Sequence, residues 1–250
     1  MASGYGQYCP LSLAAELLCR RWTVLVISRV IAGCSRFNAI HRGLPQMSPS
    51  LLSQRLEELE HAGILQSRIS KPRGWREYSL TPAGEELEPL VNAMAIWGQK
   101  WAHDMTVDDL DPAFLVWSMH SRLDSTSLPQ GRTVIEFAFS GAPTNCRKFW
   151  LVSNDGDVEM CLKDPGYKVD VRVASDLRVF IEAWRGFRDF ECEIRAGRIR
   201  LTGPSGLRKQ FPTWMRLHVL AEIPRMRPGR ERRLSRTTGM RAKTAKPPTA

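Results

Sequence analysis

The stretch RFNAIHRGLPQMSPSLLSQRLEELEHAGILQSRISKPRGWREYSL, residues 36–80, decides the fold of the N-terminal half. Arg36-Phe37-Asn38-Ala39-Ile40 opens a short helix that Gly43-Leu44-Pro45 closes. Ser48-Pro49 starts a second helix. A serine hydroxyl at the cap accepts an orphan amide, and a proline at the first helical position lacks only an N–H that had no partner there. Leu52, Leu56 and Leu59 recur at helical spacing and mark a buried face, and Gly63 supplies the C-cap. Leu65, Ser67 and Ile69 then share one side of a strand, Lys71-Pro72-Arg73-Gly74 makes a polar turn, and Arg76 to Leu80 returns as a second strand. Helix, turn, helix and basic hairpin, in that order, is the layout of a winged helix on duplex DNA. The second helix suits a groove and the hairpin suits the flanking phosphates.

Around this stretch the chain divides into regions. Pro10 to Leu18 reads as a helix with Leu11, Ala14, Ala15 and Leu18 on one face. Thr23 to Ala32 reads as a nearly all-apolar, buried helix that Gly33 stops. Thr81-Pro82 caps a longer helix running to His103, whose Leu87, Leu90, Val91, Met94, Trp97 and Trp101 form an apolar stripe. That stripe is too apolar for a lone surface helix, so Leu90, Met94, Trp97 and Trp101 are expected to pack on the first helix of a second subunit. Asp108 to Pro112 reads as a linker and Ala113 to Arg122 as a short helix. From Arg132 the texture changes to strands, at Val134–Phe139, Lys148–Val152, Val158–Leu162 and Tyr167–Val173, separated by turn residues. Ser175 to Gly186 reads as a helix, Glu191 to Ile194 and Arg198 to Leu201 as a hairpin across Gly197, and Gly206 to His218 as a last helix. A meander with helices on one face is an α+β unit. The expected divisions are 1–103, 104–224, and a disordered basic tail at 225–250.

Composition narrows the function. Apolar residues at 43% and charged residues at 25% are ordinary globular values. The net charge of +10 is uneven: residues 225–250 hold nine Lys/Arg against one Glu, whereas 104–224 is close to neutral. A neutral unit is a poor second nucleic-acid surface. The six cysteines form no Cys-x-x-Cys pair and no histidine stands at ligand spacing from them, so no metal site is expected. Cys19 and Cys34 lie in apolar segments and read as core residues. No secretory leader is legible and no apolar run reaches the length of a membrane span, so the chain is expected to be cytoplasmic with reduced thiols. The five histidines (41, 61, 103, 120 and 218) are scattered and make no nucleophile–base pattern, so neither an enzyme nor a cofactor is expected.

An ordered set of motifs carries a family resemblance. It comprises Tyr8-Cys9-Pro10, Arg21-Trp22-Thr23, Arg36-Phe37, Leu44-Pro45-x-Met47-Ser48, Leu51-Leu52-Ser53-Gln54-Arg55-Leu56, Ala62-Gly63, Glu77-Tyr78-Ser79-Leu80-Thr81 with Gly84, and Ile96-Trp97-Gly98. Over roughly residues 7–103 this set closely resembles the HxlR family of bacterial transcriptional regulators. The resemblance implies a dimeric winged helix whose Ser48–Ala62 helix enters the major groove. The chain departs from the family pattern at Cys19-Arg20, where members often have a glycine-rich turn, and at the bulky Trp75 in the wing. Farther on, Asp170-Val171-Arg172-Val173, Ser175-Asp176-Leu177 with Ile181 and Arg185-Gly186, and Gly197-Arg198-Ile199-Arg200-Leu201 with Gly203 resemble a sterol-carrier-protein-type domain over about 132–218. That resemblance implies an apolar cavity for a small hydrophobic effector.

The candidate DNA-contacting residues are Arg36, Ser48, Ser50, Ser53, Gln54, Arg55, Lys71, Arg73 and Arg76. Glutamine can bond adenine bidentately and serine can reach bases or phosphates, while Arg55 can either reach phosphate or pair with Glu58 or Glu60. The candidate pocket residues are Phe137, Phe139, Phe149, Leu151, Phe180 and Trp184. Cys9 precedes Pro10 at a helix start, where the dipole favours a thiolate, and it is either a redox or electrophile sensor of the kind some family members use or an inert thiol. The reading is therefore a homodimeric regulator on an inverted-repeat site in double-stranded DNA, with no membrane partner. The alternatives are a Cys9-based redox regulator and a lipid-binding carrier.

Overall fold

The computed structural model describes residues 4–71 and 74–227. Its N-terminal unit opens with α1 (Pro10–Leu18) and α2 (Thr23–Ile31), then α3 (Phe37–Arg42) and α4 (Pro49–His61). β1 (Leu65–Ile69) and β2 (Arg76–Leu80) pair antiparallel, with Leu65 opposite Leu80 and Ile69 opposite Arg76. The core forms where apolar residues recur at helical spacing: Val26, Ile27 and Val30 of α2 bury against Ile40, Leu52, Leu56 and Leu59. Gly63 adopts φ +69°, which lets the chain turn out of α4 into β1.

The single helix expected after Thr81 is two. α5 (Pro82–Glu85) is capped by the Thr81 hydroxyl, and α6 (Glu88–Trp101) follows after a two-residue turn. Pro89 has no N–H to offer the carbonyl of Glu85, so the ladder breaks there. Cys19 is exposed at the C-cap of α1 and is not the core residue expected, whereas Cys34 is half-buried against the helical core.

α7 (Pro112–His120), capped by Asp111, leads into the C-terminal unit. β3 (Arg132–Ser140), β4 (Lys148–Asn154), β5 (Asp157–Cys161), β6 (Val171–Asp176) and, later, β7 (Ile199–Thr202) make one sheet in the order β5-β4-β3-β6-β7. It is not the meander expected: β3 and β6 run parallel, Ile135 opposite Val171, so the chain crosses over after β5. β6 also begins four residues later than the alternation at Tyr167 suggests. Asp170 donates its N–H to the carbonyl of Val134 and accepts the Val134 N–H on its carboxylate, so pairing starts there. α8 (Leu177–Trp184) buries Leu177, Phe180, Ile181 and Trp184 on one face of the sheet. The segment read as the first arm of a hairpin is instead α9 (Phe190–Arg195). Asp189 caps it through the Cys192 amide, acidic residues sit in its first turn, and Gly197 follows at φ +72°. α10 (Ser205–Trp214) ends sooner than expected, and Met215 bridges to Leu123.

The two units share an interface. Gln99 of α6 is 1% exposed and donates to the carbonyl of Arg185 at 3.1 Å, while Nη2 of Arg185 returns a bond to its Oε1 at 2.7 Å. Gln46 donates to Asp111 at 3.0 Å. Gly43 lies so close to the second unit that a Cβ there would stand 2.8 Å from the Trp117 ring. The end of the described chain returns to α6: Arg225 bonds the Ala102 carbonyl and Asp104, and the amides of Met226 and Arg227 reach the Lys100 carbonyl. Residues 225–227 are therefore pinned, not the start of a free tail; the rest of the expected tail lies outside the described residues.

Candidate nucleic-acid interface

α4 is built to present one face. Ser48 stays extended (φ −69°, ψ 147°) and its hydroxyl accepts the Leu51 N–H at 3.3 Å, which sets the helix start. With the leucine face sunk in the core, Ser50, Ser53 and Gln54 are left exposed on the opposite side. Gln54 donates to Glu58 at 3.0 Å, a single exposed bond that a better acceptor can replace. Arg55 is not on that open face. It donates to the Arg21 carbonyl at 3.1 Å and pairs with Glu58 at 2.5 Å, which ties α4 to the turn before α2.

The wing stands beside α3. Tyr78 donates its N–H to the Ser35 carbonyl and Arg36 forms an isolated bridge to Glu77, so the residues before α3 are tied to the outer edge of the hairpin. The Arg36 guanidinium lies 4.6 Å from the centre of the Trp75 ring, and the indole N–H of Trp75 donates to Glu77 at 3.1 Å. The bulky tryptophan in the wing thus has a physical role as a platform for Arg36. Ile69 is 71% exposed because the hairpin projects past the core that buries Leu65. Lys71 is exposed at the turn, Arg76 leans back to Glu60 at 3.8 Å, and Arg73 lies outside the described residues.

A capped helix with an open polar face, a short helix before it and a basic hairpin after it form a winged helix-turn-helix. The profile of the HxlR-like helix-turn-helix family matches residues 17–106. The uncharacterized HTH-type transcriptional regulator YvaP of Bacillus subtilis is 33% identical over 111 residues, 44% of this chain and 95% of that protein. The chain belongs to the HxlR-like helix-turn-helix family. This HxlR-like chain is also 35% identical over 95 residues to YtfH of Escherichia coli, 37% of this chain and 75% of that one. Among solved structures, the redox regulator HypR in its oxidized form is 30% identical, covering 39% of this chain and 100% of that one with a TM-score of 0.36. As an HxlR-like protein the chain is a transcriptional regulator with a DNA-binding helix-turn-helix.

Of the other expected sites, Phe137, Phe139, Phe149, Leu151 and Phe180 pack on one another in the core of the C-terminal unit. All are at most 2% exposed, and Phe180 meets Phe137, Phe139 and Phe190 edge-on at 6.0, 5.2 and 5.7 Å. Trp184 belongs to the same core but also borders a cleft between the two units. Cys9 is exposed at the N-cap of α1, and the backbone amides of Ser12 and Leu11 hold its thiol below the ordinary range. Leu90, Met94, Trp97 and Trp101 are all exposed, as is Leu11 on α1. Among the described residues no helix is long and apolar enough to cross a membrane, and no group of His, Cys, Asp and Glu is placed to hold a metal.

Sequence reasoning passed over Arg29, Gln99 and Arg185, which carry the junction between the units. For Arg29 a signal existed: it is the lone charge in the otherwise apolar segment Val24–Ala32, and such a charge needs a reason to be there.

Proposed function

We propose that this regulator binds an inverted-repeat DNA site as a homodimer in the bacterial cytoplasm, with one α4 in the major groove of each half-site. The observation that carries this reading is the exposed Ser50, Ser53 and Gln54 face beside the wing, with the opposite face fully buried. In this reading Gln54 reads a base edge, Ser48, Ser50 and Ser53 contact base or backbone, and Lys71 and Arg73 meet phosphates. Arg36 reaches the backbone from its place over Trp75. Arg55 and Arg76 act through Glu58 and Glu60 by holding α4 in place. The exposed stripe on α6, with Trp97 at 63% exposure, supports a dimer seam against the partner's α1.

The C-terminal unit serves control rather than a second DNA contact, in keeping with its neutral charge. A hydrophobic effector seated inside its aromatic core is disfavoured by how that core is filled, and a lipid carrier is disfavoured with it. A redox reading through Cys9 stands as a second possibility, favoured by the exposed thiol and its lowered pKa. The test is a titration of the protein against fragments of its own genome, followed by footprinting on the best fragment. Two protected half-sites about one helical turn apart support the reading. Uniform, sequence-independent binding overturns it.

A further inference from the structure

Between the two units lies a cleft of about 900 Å³, floored by α2 and α3 on one side and by α7, β5 and the segment around His218 on the other. Four arginines border it: Arg29, Arg36, Arg42 and Arg122. Among the described residues none of the four forms an ion pair, whereas Arg55, Arg68, Arg76 and eight other Lys or Arg side chains elsewhere do. Among the described residues that line the cleft, the acidic ones are Asp157 and Glu159 at the β5 rim. We propose that this cleft binds a small anion carried on a flat apolar ring system, an aromatic carboxylate in its simplest form.

The chemistry of the walls selects both halves of such a ligand. Arg29 sits between rings, its guanidinium 4.8 Å from the centre of Trp117 and 5.6 Å from that of Phe114, and among the described residues its hydrogen bonds go to the neighbouring Ser28 hydroxyl. A guanidinium kept from water without a counter-charge has donors to spare, and a carboxylate matches its fork. Burial pulls the Arg29 and Arg122 pKa values down, which an arriving anion would relieve. Trp184, 3% exposed and bordering the same cleft, has an indole N–H with no acceptor among the described residues. His218 stands edge-on to that ring at 5.1 Å. Its pKa is pushed down to about 4 by burial and then by Arg185, Arg122 and Arg29, so at neutral pH it adds no charge. The apolar part of the ligand has Trp117, Phe114 and Met160 to lie against.

The cleft also touches the DNA-binding machinery. Arg36 borders it while lying over Trp75 of the wing, so an anion that draws Arg36 inward competes with that stacking. This coupling rests on the DNA-binding reading above; occupancy of the cleft does not.

The test uses the full chain with 2-naphthoate as probe and 2-naphthylmethanol as its uncharged counterpart, measured by titration calorimetry. Naphthoate is expected to bind once per chain and the alcohol about tenfold more weakly or worse, the scale of a lost charge-assisted hydrogen bond. Arg29→Met and Arg122→Met should each weaken naphthoate by about tenfold, while Arg195→Met, on the exposed α9, should leave it unchanged. Circular dichroism checks each variant's fold, and Arg122→Met carries the test should Arg29→Met fail to fold. Equal binding of acid and alcohol, naphthoate binding indifferent to both substitutions, or no binding at millimolar probe overturns the proposal. Titrating DNA with and without naphthoate separates the two readings. Naphthoate binding with unaltered DNA affinity leaves the site standing and removes the control role. Loss of sequence-specific DNA binding in the free protein overturns only the DNA reading.

Discussion

Replacing Gln99 with leucine tests how the winged helix and the C-terminal unit are joined. Leucine keeps most of the bulk and removes every polar contact. Lost are donations to the carbonyls of Arg185 at 3.1 Å and Ile223 at 3.4 Å, and the bond accepted from Nη2 of Arg185 at 2.7 Å. A neutral hydrogen bond contributes about 1 kcal/mol and one to a charged group about 1.5–3. The 3.4 Å contact is counted as weak. Arg185 keeps Met105 and the face of Phe187, at 4.6 Å, so its cation is not stranded. Burying the leucine returns about 1–2 kcal/mol. The balance is a loss of about 1–3 kcal/mol, or about 2–12 °C in Tm for a chain of this size. Urea unfolding followed by tryptophan fluorescence, with calorimetry alongside, measures it. Gln99→Glu should fall between parent and leucine variant, since its carboxylate keeps Arg185 but faces two carbonyl oxygens. A leucine variant within about 0.5 kcal/mol of the parent, the scatter of ordinary surface substitutions, would refute the reasoning.

Four other outcomes follow from the same geometry. Gln54→Ala should cost about 1–3 kcal/mol on the preferred DNA site and relax one base pair, whereas Lys71→Ala should weaken all sequences evenly and flatten the salt dependence; titrations at several salt concentrations distinguish them. Trp97→Asp with Trp101→Asp should give a monomer by light scattering that no longer holds an inverted repeat, since two half-sites need two recognition helices. Cys9 should alkylate with iodoacetamide faster than Cys34 near neutral pH, because backbone amides lower the first thiol and burial raises the second; peptide mapping reads the two rates. His218 is neutral in the folded protein down to about 4, below its ordinary value of 6.5. The unfolded chain therefore binds the extra proton first, and stability falls as pH drops from about 6.5 toward 4, by about 2–3 kcal/mol from this group. His218→Phe should lose that part of the acid slope in denaturation curves at pH 7 and 4.5.

The winged helix was legible because its signals are local. A serine cap, a proline at the first helical position, leucines four and three apart, and glycine past the helix end all act within a few residues of where they stand. The break at Pro89 was equally local, but Thr81-Pro82 looked like the start of one long helix and masked it. Glu191–Ile194 misled because alternating Phe190, Cys192 and Ile194 mimic a strand. The deciding facts were the Asp189 cap and Gly197, the same kind of signal read correctly at Ser48 and Gly63. The parallel β3–β6 pair could not be read from either strand, since it depends on where a distant segment returns. The filled aromatic core was illegible for a different reason: composition counts rings but does not say whether they enclose space or occupy it. The DNA-facing side chains were legible as a face, and the structure added which members are already engaged, as Arg55 and Arg76 are.

The C-terminal unit leaves α6 near Ala102 and comes back to it through Arg225, Met226 and Arg227. A body fastened to one helix end by two strands of chain is held against swivelling about a single bond, and the contacts of Gly43 with Trp117 and of Gln46 with Asp111 fix its far side as well. Its orientation on the winged helix is therefore set at both ends, near the carboxyl end of α6 and beside α3 and the turn into α4. Replacing Arg225 should loosen the first of these attachments and leave the second.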